Sequence, residues 1–276
     1  MSFKTILNVL ADDIAAEDLD IAMNLGGEVS AHLSTLVVTM APVPTGRYQT
    51  LSPSWLEVRE RNLQRLSDHI VKIRERLATA GLSFDVDSVY AEVAGPAYDI
   101  GERALYADLV LAGPGVFASD ELKSQVVSGG LFQAGRPVLF VPPGGIATLR
   151  PRTILLAWDS RPSAAHAVRD ALEMMKMAQS VHVTMVDPVA ALRVSGGEPG
   201  ADIATYLARH GINVSVETLP SAGHFVTETL QRHAMDINAD MIVMGAYGHS
   251  KLLELILGGV TKSMLKEAKL PILMAH

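Results

Sequence analysis

The stretch Ala239-Asp-Met-Ile-Val-Met-Gly-Ala-Tyr-Gly248 decides the fold. Its aliphatic core reads as a strand buried on both faces, the kind found in parallel sheets. Glycines where that strand ends allow a sharp turn and a close approach of backbone amides to a ligand. A near copy stands earlier, Ala107-Asp-Leu-Val-Leu-Ala-Gly-Pro-Gly115. The repetition extends outward from this pair. Thr5-Ile-Leu-Asn-Val-Leu10 resembles Thr153-Ile-Leu-Leu-Ala-Trp158, and Arg136-Pro-Val-Leu-Phe-Val141 resembles Leu270-Pro-Ile-Leu-Met-Ala275. Each half thus has a first strand, a late strand ending in glycines and a final strand opened by proline. Pro142-Pro-Gly-Gly-Ile-Ala-Thr-Leu-Arg-Pro151 lies between the halves and is a linker by composition. The expected domains are residues 1–143 and 150–276.

Within the second half, strand and helix patterns alternate. Strands are expected at 152–158, 180–186, 212–218, 240–244 and 271–275, with helices at 163–177, 201–210, 225–237 and 260–268. The first half follows the same order with a longer excursion, in which residues 55–77 form a charged, periodic helix. Such alternation implies α/β architecture: two tandem doubly wound domains, each with a parallel sheet flanked by helices. Ligands of such sheets sit at the carboxyl ends of the strands, where the strand order switches.

Composition narrows the function. Hydrophobic residues make up 49% of the 276-residue chain, enough for a sizeable core. Aromatics are only 5% and the formal net charge is -7, which argues against a nucleic-acid partner. With no cysteine, disulfides, thiolate nucleophiles and cysteine-ligated metals are excluded. The short apolar run at the N-terminus ends at Asp12-Asp13, and no window approaches a membrane span. A cytoplasmic protein without membrane association is expected.

The glycines carry the chemistry. Gly245-x2-Gly248-x9-Gly258 is followed by Gly259, Val260 and Thr261. A strand, a glycine turn and a second glycine turn opening a helix can present several N–H groups to one anion, and phosphate suits that place. Strand-to-helix glycines are also common packing devices, so the motif alone leaves both readings open.

The spacing resembles the nucleotide-binding loop of the universal stress protein family, and the two repeats resemble a tandem member along almost the whole chain. The resemblance implies a five-stranded fold in each half, pairing of domains through their last strands, and a bound adenine nucleotide, ATP or AMP, with or without Mg. The implied contacts are Ala157, Trp158 and Asp159 at the end of the first strand, Met185 beside the base, and Met244 before the loop. Gly245, Gly248, Gly258, Gly259 and Val260 would offer backbone, and Thr261 a hydroxyl. Gly259 stands where the family usually has Ser or Thr, so phosphate binding should be weakened. Asp159 and Ser160 also precede Pro162 and a helical run, so helix capping would explain them equally. Lys251 and Lys262 read as surface lysines, and His249 as a loop histidine.

The first half departs from this pattern. Proline within Gly113-Pro-Gly115 removes an amide donor. Val116 and Phe117 stand where the second half has Gly248 and a polar neighbour, and the later glycines are Gly129-Gly130. This half reads as a degenerate copy that does not bind ATP in the family manner. No catalytic residue or metal ligand is assigned. His166, His182, His210, His224 and His233 are scattered without ligand spacing, and neither a Gly-x-Ser-x-Gly elbow nor a Gly-Lys-Ser/Thr loop occurs. The expectation is a regulatory stress-response protein that binds a nucleotide in its second half. An assembly protein that binds no nucleotide, or a slow ATPase, is the alternative. The two halves should pair as an intrachain pseudo-dimer, and a homodimer is compatible with that.

Overall fold

The computed structural model describes residues 3–12, 16–41, 53–91, 95–188, 198–246 and 259–276. In chain order the first repeat runs β1 (Thr5–Ala11), α1 (Ala16–Val29), β2 (His32–Met40), α2 (Pro53–Thr79), β3 (Phe84–Ala91), α3 (Ala97–Ala104) and β4 (Leu109–Ala112). Two short helices follow, α4 (Pro114–Ala118) and α5 (Asp120–Val126), then a π-helical stretch (Val127–Gln133) and β5 (Val138–Phe140). The second repeat runs β6 (Thr153–Ala157), α6 (Pro162–Met177), β7 (Ser180–Val186), α7 (Ala201–Arg209), β8 (Val214–Leu219), α8 (Val226–Asp236), β9 (Met241–Gly245), α9 (Gly259–Glu267) and β10 (Ile272–Ala275).

The chain forms two compact units, Phe3–Arg136 and Pro137–His276. In the first, the strand order is β3-β2-β1-β4, all parallel. In the second, β10-β9-β6-β7-β8 make five parallel strands, and β5 lies antiparallel to β10 with Leu139 opposite Leu273. The aliphatic runs are buried because helices cover both faces of each sheet: Ile154, Leu155, Leu156, Val243, Ile272 and Leu273 are all at most 1% exposed.

The recurring Ala-Asp before the late strand has a physical cause. Asp108 Oδ2 accepts the backbone N–H groups of Lys4 (2.7 Å) and Thr5 (3.0 Å). Asp240 Oδ2 does the same for Arg152 (2.6 Å) and Thr153 (2.9 Å). Each carboxylate fastens the start of one central strand to the start of its neighbour, and such charge-assisted bonds are the strong ones. Among the described residues, no helix is long and apolar enough to cross a membrane.

Candidate functional site

In the second unit the carboxyl ends of β9, β6 and β7 lie side by side. Ala157 is in register with Thr184 on one flank and Met244 on the other. Trp158 N–H continues the ladder by donating to Thr184 O at 3.0 Å. This brings Ala157, Trp158, Met185, Met244 and Gly245 to one edge of the sheet. Met185 is buried at 3%, and its side chain meets the space over Gly200, the residue that caps α7. Its side chain therefore serves the core.

Asp159 lies in the turn between β6 and α6. Its Oδ1 accepts the N–H of Arg161 at 3.1 Å, and Oδ2 lies 3.6 Å from Arg161 Nε. Ser160 beside it has φ of 61°, a left-handed conformation that a turn-closing carboxylate helps to hold. The carboxylate is still half exposed. Trp158 borders a surface cleft of about 420 Å³ between α6 and α7, together with Pro162, His166, Arg169, Asp202 and Tyr206. The cleft holds two aromatic faces and charges of both signs.

Gly245 is explained by packing. A Cβ there would run into the backbone of Ser163 and Ala164, and would lie 2.7 Å from Ser163 Oγ. The first turn of α6 thus rests directly on the end of β9. Gly259 is the opposite case. Among the described residues a Cβ there would meet nothing within 4 Å, its φ is not left-handed, and the residue is exposed at the first position of α9. Val260 is 37% exposed, whereas Thr261 is buried at 5%. Gly248 and Gly258, like His249 and Lys251, lie outside the described residues.

The first repeat treats its glycines differently. Asp18, in the first turn of α1, is 2% exposed, and both its carboxylate oxygens accept from Gly115 N–H at 3.1 and 3.0 Å. A Cβ on Gly113 or Gly115 would lie 2.9 or 2.7 Å from that carboxylate. The loop is thus filled from within by an anion of the chain itself. At Gly245 the corresponding neighbours are the backbone of Ser163 and Ala164 and then the Ser163 hydroxyl. Val116, at the place comparable to Gly248, is fully buried, and Phe117 is 6% exposed. Gly129 is a packing glycine too, since a Cβ there would lie 2.9 Å from Gly101 N and 3.0 Å from Ile100 Cβ.

One cluster escaped sequence reasoning because its members are far apart along the chain. His182 Nδ1 on β7 lies 2.8 Å from Glu217 Oε1 on β8, and His233 Nε2 on α8 pairs with Glu217 Oε2. Ser215 Oγ is 3.0 Å from the same His182 nitrogen. Burial acts to raise the Glu217 carboxyl, but the His182 hydrogen bond and the two imidazoles outweigh it and hold it below the usual carboxylate range. The register of β7 and β8, with His182 opposite Ser215, could have suggested the pairing had strand order been known. Among the described residues, no group of three or more His, Asp or Glu is arranged to hold a metal ion.

Residues 151–276 match the profile of the Universal stress protein family. A universal stress protein of Synechocystis is 34% identical over 67 residues, which are 24% of this chain and 22% of that protein. The chain thus matches less than a quarter of that relative's length. The solved structure of a universal stress protein from Archaeoglobus fulgidus aligns with a TM-score of 0.64 at 19% identity, covering 98% of this chain and 95% of the other. A functionally unknown protein from Pseudomonas aeruginosa gives a TM-score of 0.63 at 18% identity, covering 99% and 92%. At these identities the two structures testify to a common fold. The family likeness in sequence is carried by residues 151–276.

Proposed function

We propose that residues 150–276 bind an adenine nucleotide, ATP or AMP, and that binding regulates the protein by favouring one conformation or assembly. The contacts in this reading are the strand-end residues Ala157, Trp158, Asp159, Met185 and Met244 and the loop residues Gly245, Gly248, Gly258, Gly259, Val260 and Thr261. A ligand shifts only equilibria whose states it binds differently, so the regulatory step needs two such states. The observation that carries the proposal is the contrast between the two glycine loops. The first is occupied by the carboxylate of Asp18, which repels a phosphate, whereas among the described residues no carboxylate is among the nearest atoms at Gly245 or Gly259. The profile match over residues 151–276 supports the same half. One site per chain follows. A cytoplasmic protein and an intrachain pseudo-dimer belong to this reading.

Calorimetric titration with ATP and with AMP tests it. A stoichiometry near one per chain is expected, and two equivalent sites would overturn the assignment of the first half. A second reading, an assembly protein that binds no nucleotide, is favoured by two observations: Asp159 closes its own turn and Gly245 is needed for packing. Absence of any heat with intact oligomers would select it. Turnover of ATP abolished by a loop substitution would instead point to a slow ATPase.

A further inference from the structure

In both units, the helix that follows the outer strand is tied to that strand through a carboxylate. In the first, Arg103 on α3 donates to Asp85 Oδ1 at 3.1 Å and to Asp87 Oδ2. His32 on β2 shares Asp85, with Nε2 at 2.8 Å from Oδ2. In the second, the helix partner is His233 on α8 and the carboxylate is Glu217, which also holds His182. Strand alternation places His182, Ser215 and Glu217 on the α8 face, while Met185 and Val216 meet Gly200 at the start of α7. The one difference that matters is the cation. A guanidinium is charged at every working pH, whereas an imidazole gains or loses its charge near neutrality.

We propose that the His182–Glu217–His233 cluster is a protonation-dependent clamp that sets how firmly α8 is held to the outer strands of the C-terminal unit. With both imidazoles neutral the cluster carries one negative charge in a partly buried place, the His182–Glu217 hydrogen bond is assisted from one side only, and His233 Nε2 lies against Glu217 as a close contact without hydrogen-bond geometry. One added proton brings the cluster to zero net charge and makes one bond charge-assisted on both sides, which shortens and strengthens it. The clamp is therefore tightest while one imidazole carries the added proton. It loosens as pH rises and that proton is lost, and again in acid once Glu217 takes a proton. The charged groups acting on Glu217 are His182 from β7 and His233 from α8. Elsewhere on this face, His224 and Glu228 lie 3.4 Å apart, α8 also carries Arg232 and Asp236, and α9, which packs on α8, carries Lys262, Lys266 and Glu267. His224 is the one other imidazole among these groups, and it pairs with exposed Glu228 rather than with Glu217. The inference does not depend on nucleotide binding.

Hydrogen exchange of the intact chain, corrected for intrinsic rates, tests it with an internal control. Between pH 6 and pH 8 the protection of α8 amides should fall about fivefold, the size of one modest charge interaction, while α3 amides, held through Arg103 with His32 only on the strand side of Asp85, should change much less. His233→Arg should flatten the α8 profile by imitating the first unit, and His233→Gln should leave α8 poorly protected at both pH values. His182→Asn, on a strand, should shrink the change without touching α8 itself, and serves if the His233 variants fold poorly. Parallel pH profiles of α8 and α3 in the parent, or an unchanged α8 profile in His233→Arg or His182→Asn, would overturn the clamp.

Discussion

Gly259→Ser is the most discriminating change to the proposed loop, because it should improve binding. The universal stress protein loop that this sequence resembles usually has Ser or Thr at the position of Gly259. The described residues leave room for that side chain: among them a Cβ meets nothing within 4 Å, and φ lies outside the left-handed region. Removing a glycine from the start of α9 should leave the ligand-free fold as stable as before, or more stable by up to about 0.5–1 kcal/mol. A serine hydroxyl that donates to a phosphate oxygen adds a net hydrogen bond of about 0.5–1.5 kcal/mol. That corresponds to roughly a two- to twelvefold lower Kd for ATP. Gly259→Ala separates the two effects, since it makes the same change in backbone freedom without the hydroxyl. Isothermal titration on the three proteins, with thermal melts in the absence of ligand, reads both quantities. If Gly259→Ser folds like the parent and binds ATP no better than Gly259→Ala, the first turn of α9 does not face phosphate. The loop assignment then fails even if ATP binds elsewhere.

Gly248→Val should block ATP binding with unchanged circular dichroism, because a β-branched side chain fills space and resists positive φ; the first repeat already accepts Val116 at the comparable place, fully buried. Undiminished binding would make the loop a mere turn. Gly245→Ala should destabilise the C-terminal unit by about 1–3 kcal/mol in urea unfolding, since its Cβ falls on α6 backbone that cannot rotate away. A neutral result would show that α6 is not seated there. Glu217→Gln should cost about 1–2 kcal/mol at pH 6, where the carboxylate pairs with both imidazoles. The Glu217 carboxyl is held low in the folded chain, so its contribution is present above its unfolded value near 4.3 and is lost as pH falls through the folded value. The gap between parent and variant should therefore close in acid, and a gap that persisted at pH 3 would contradict that assignment.

What the sequence made legible, and what it did not, divides along a physical line. Strands such as Met241–Gly245 could be read because burial on both faces demands an unbroken aliphatic run, a local property. The Ala-Asp repeats could be seen, but their purpose needed the neighbouring strand, since Asp240 acts on Arg152 and Thr153 from 88 and 87 residues away. Glycines were hardest, because a missing side chain carries no sign of why it is missing. Gly129 and Gly259 belong to similar Gly-Gly pairs, yet the backbone of α3 lies against one, and no described residue lies within 4 Å of a Cβ on the other. Asp18 was invisible as part of any loop, being 97 residues from Gly115, until α1 carried it there. It follows that glycine spacing alone does not say what stands beside a glycine. A buried carboxylate stands beside Gly115 in the first repeat, and the start of α6 stands against Gly245 in the second. Two glycine turns built on one plan can therefore differ through what a helix distant in sequence brings to them.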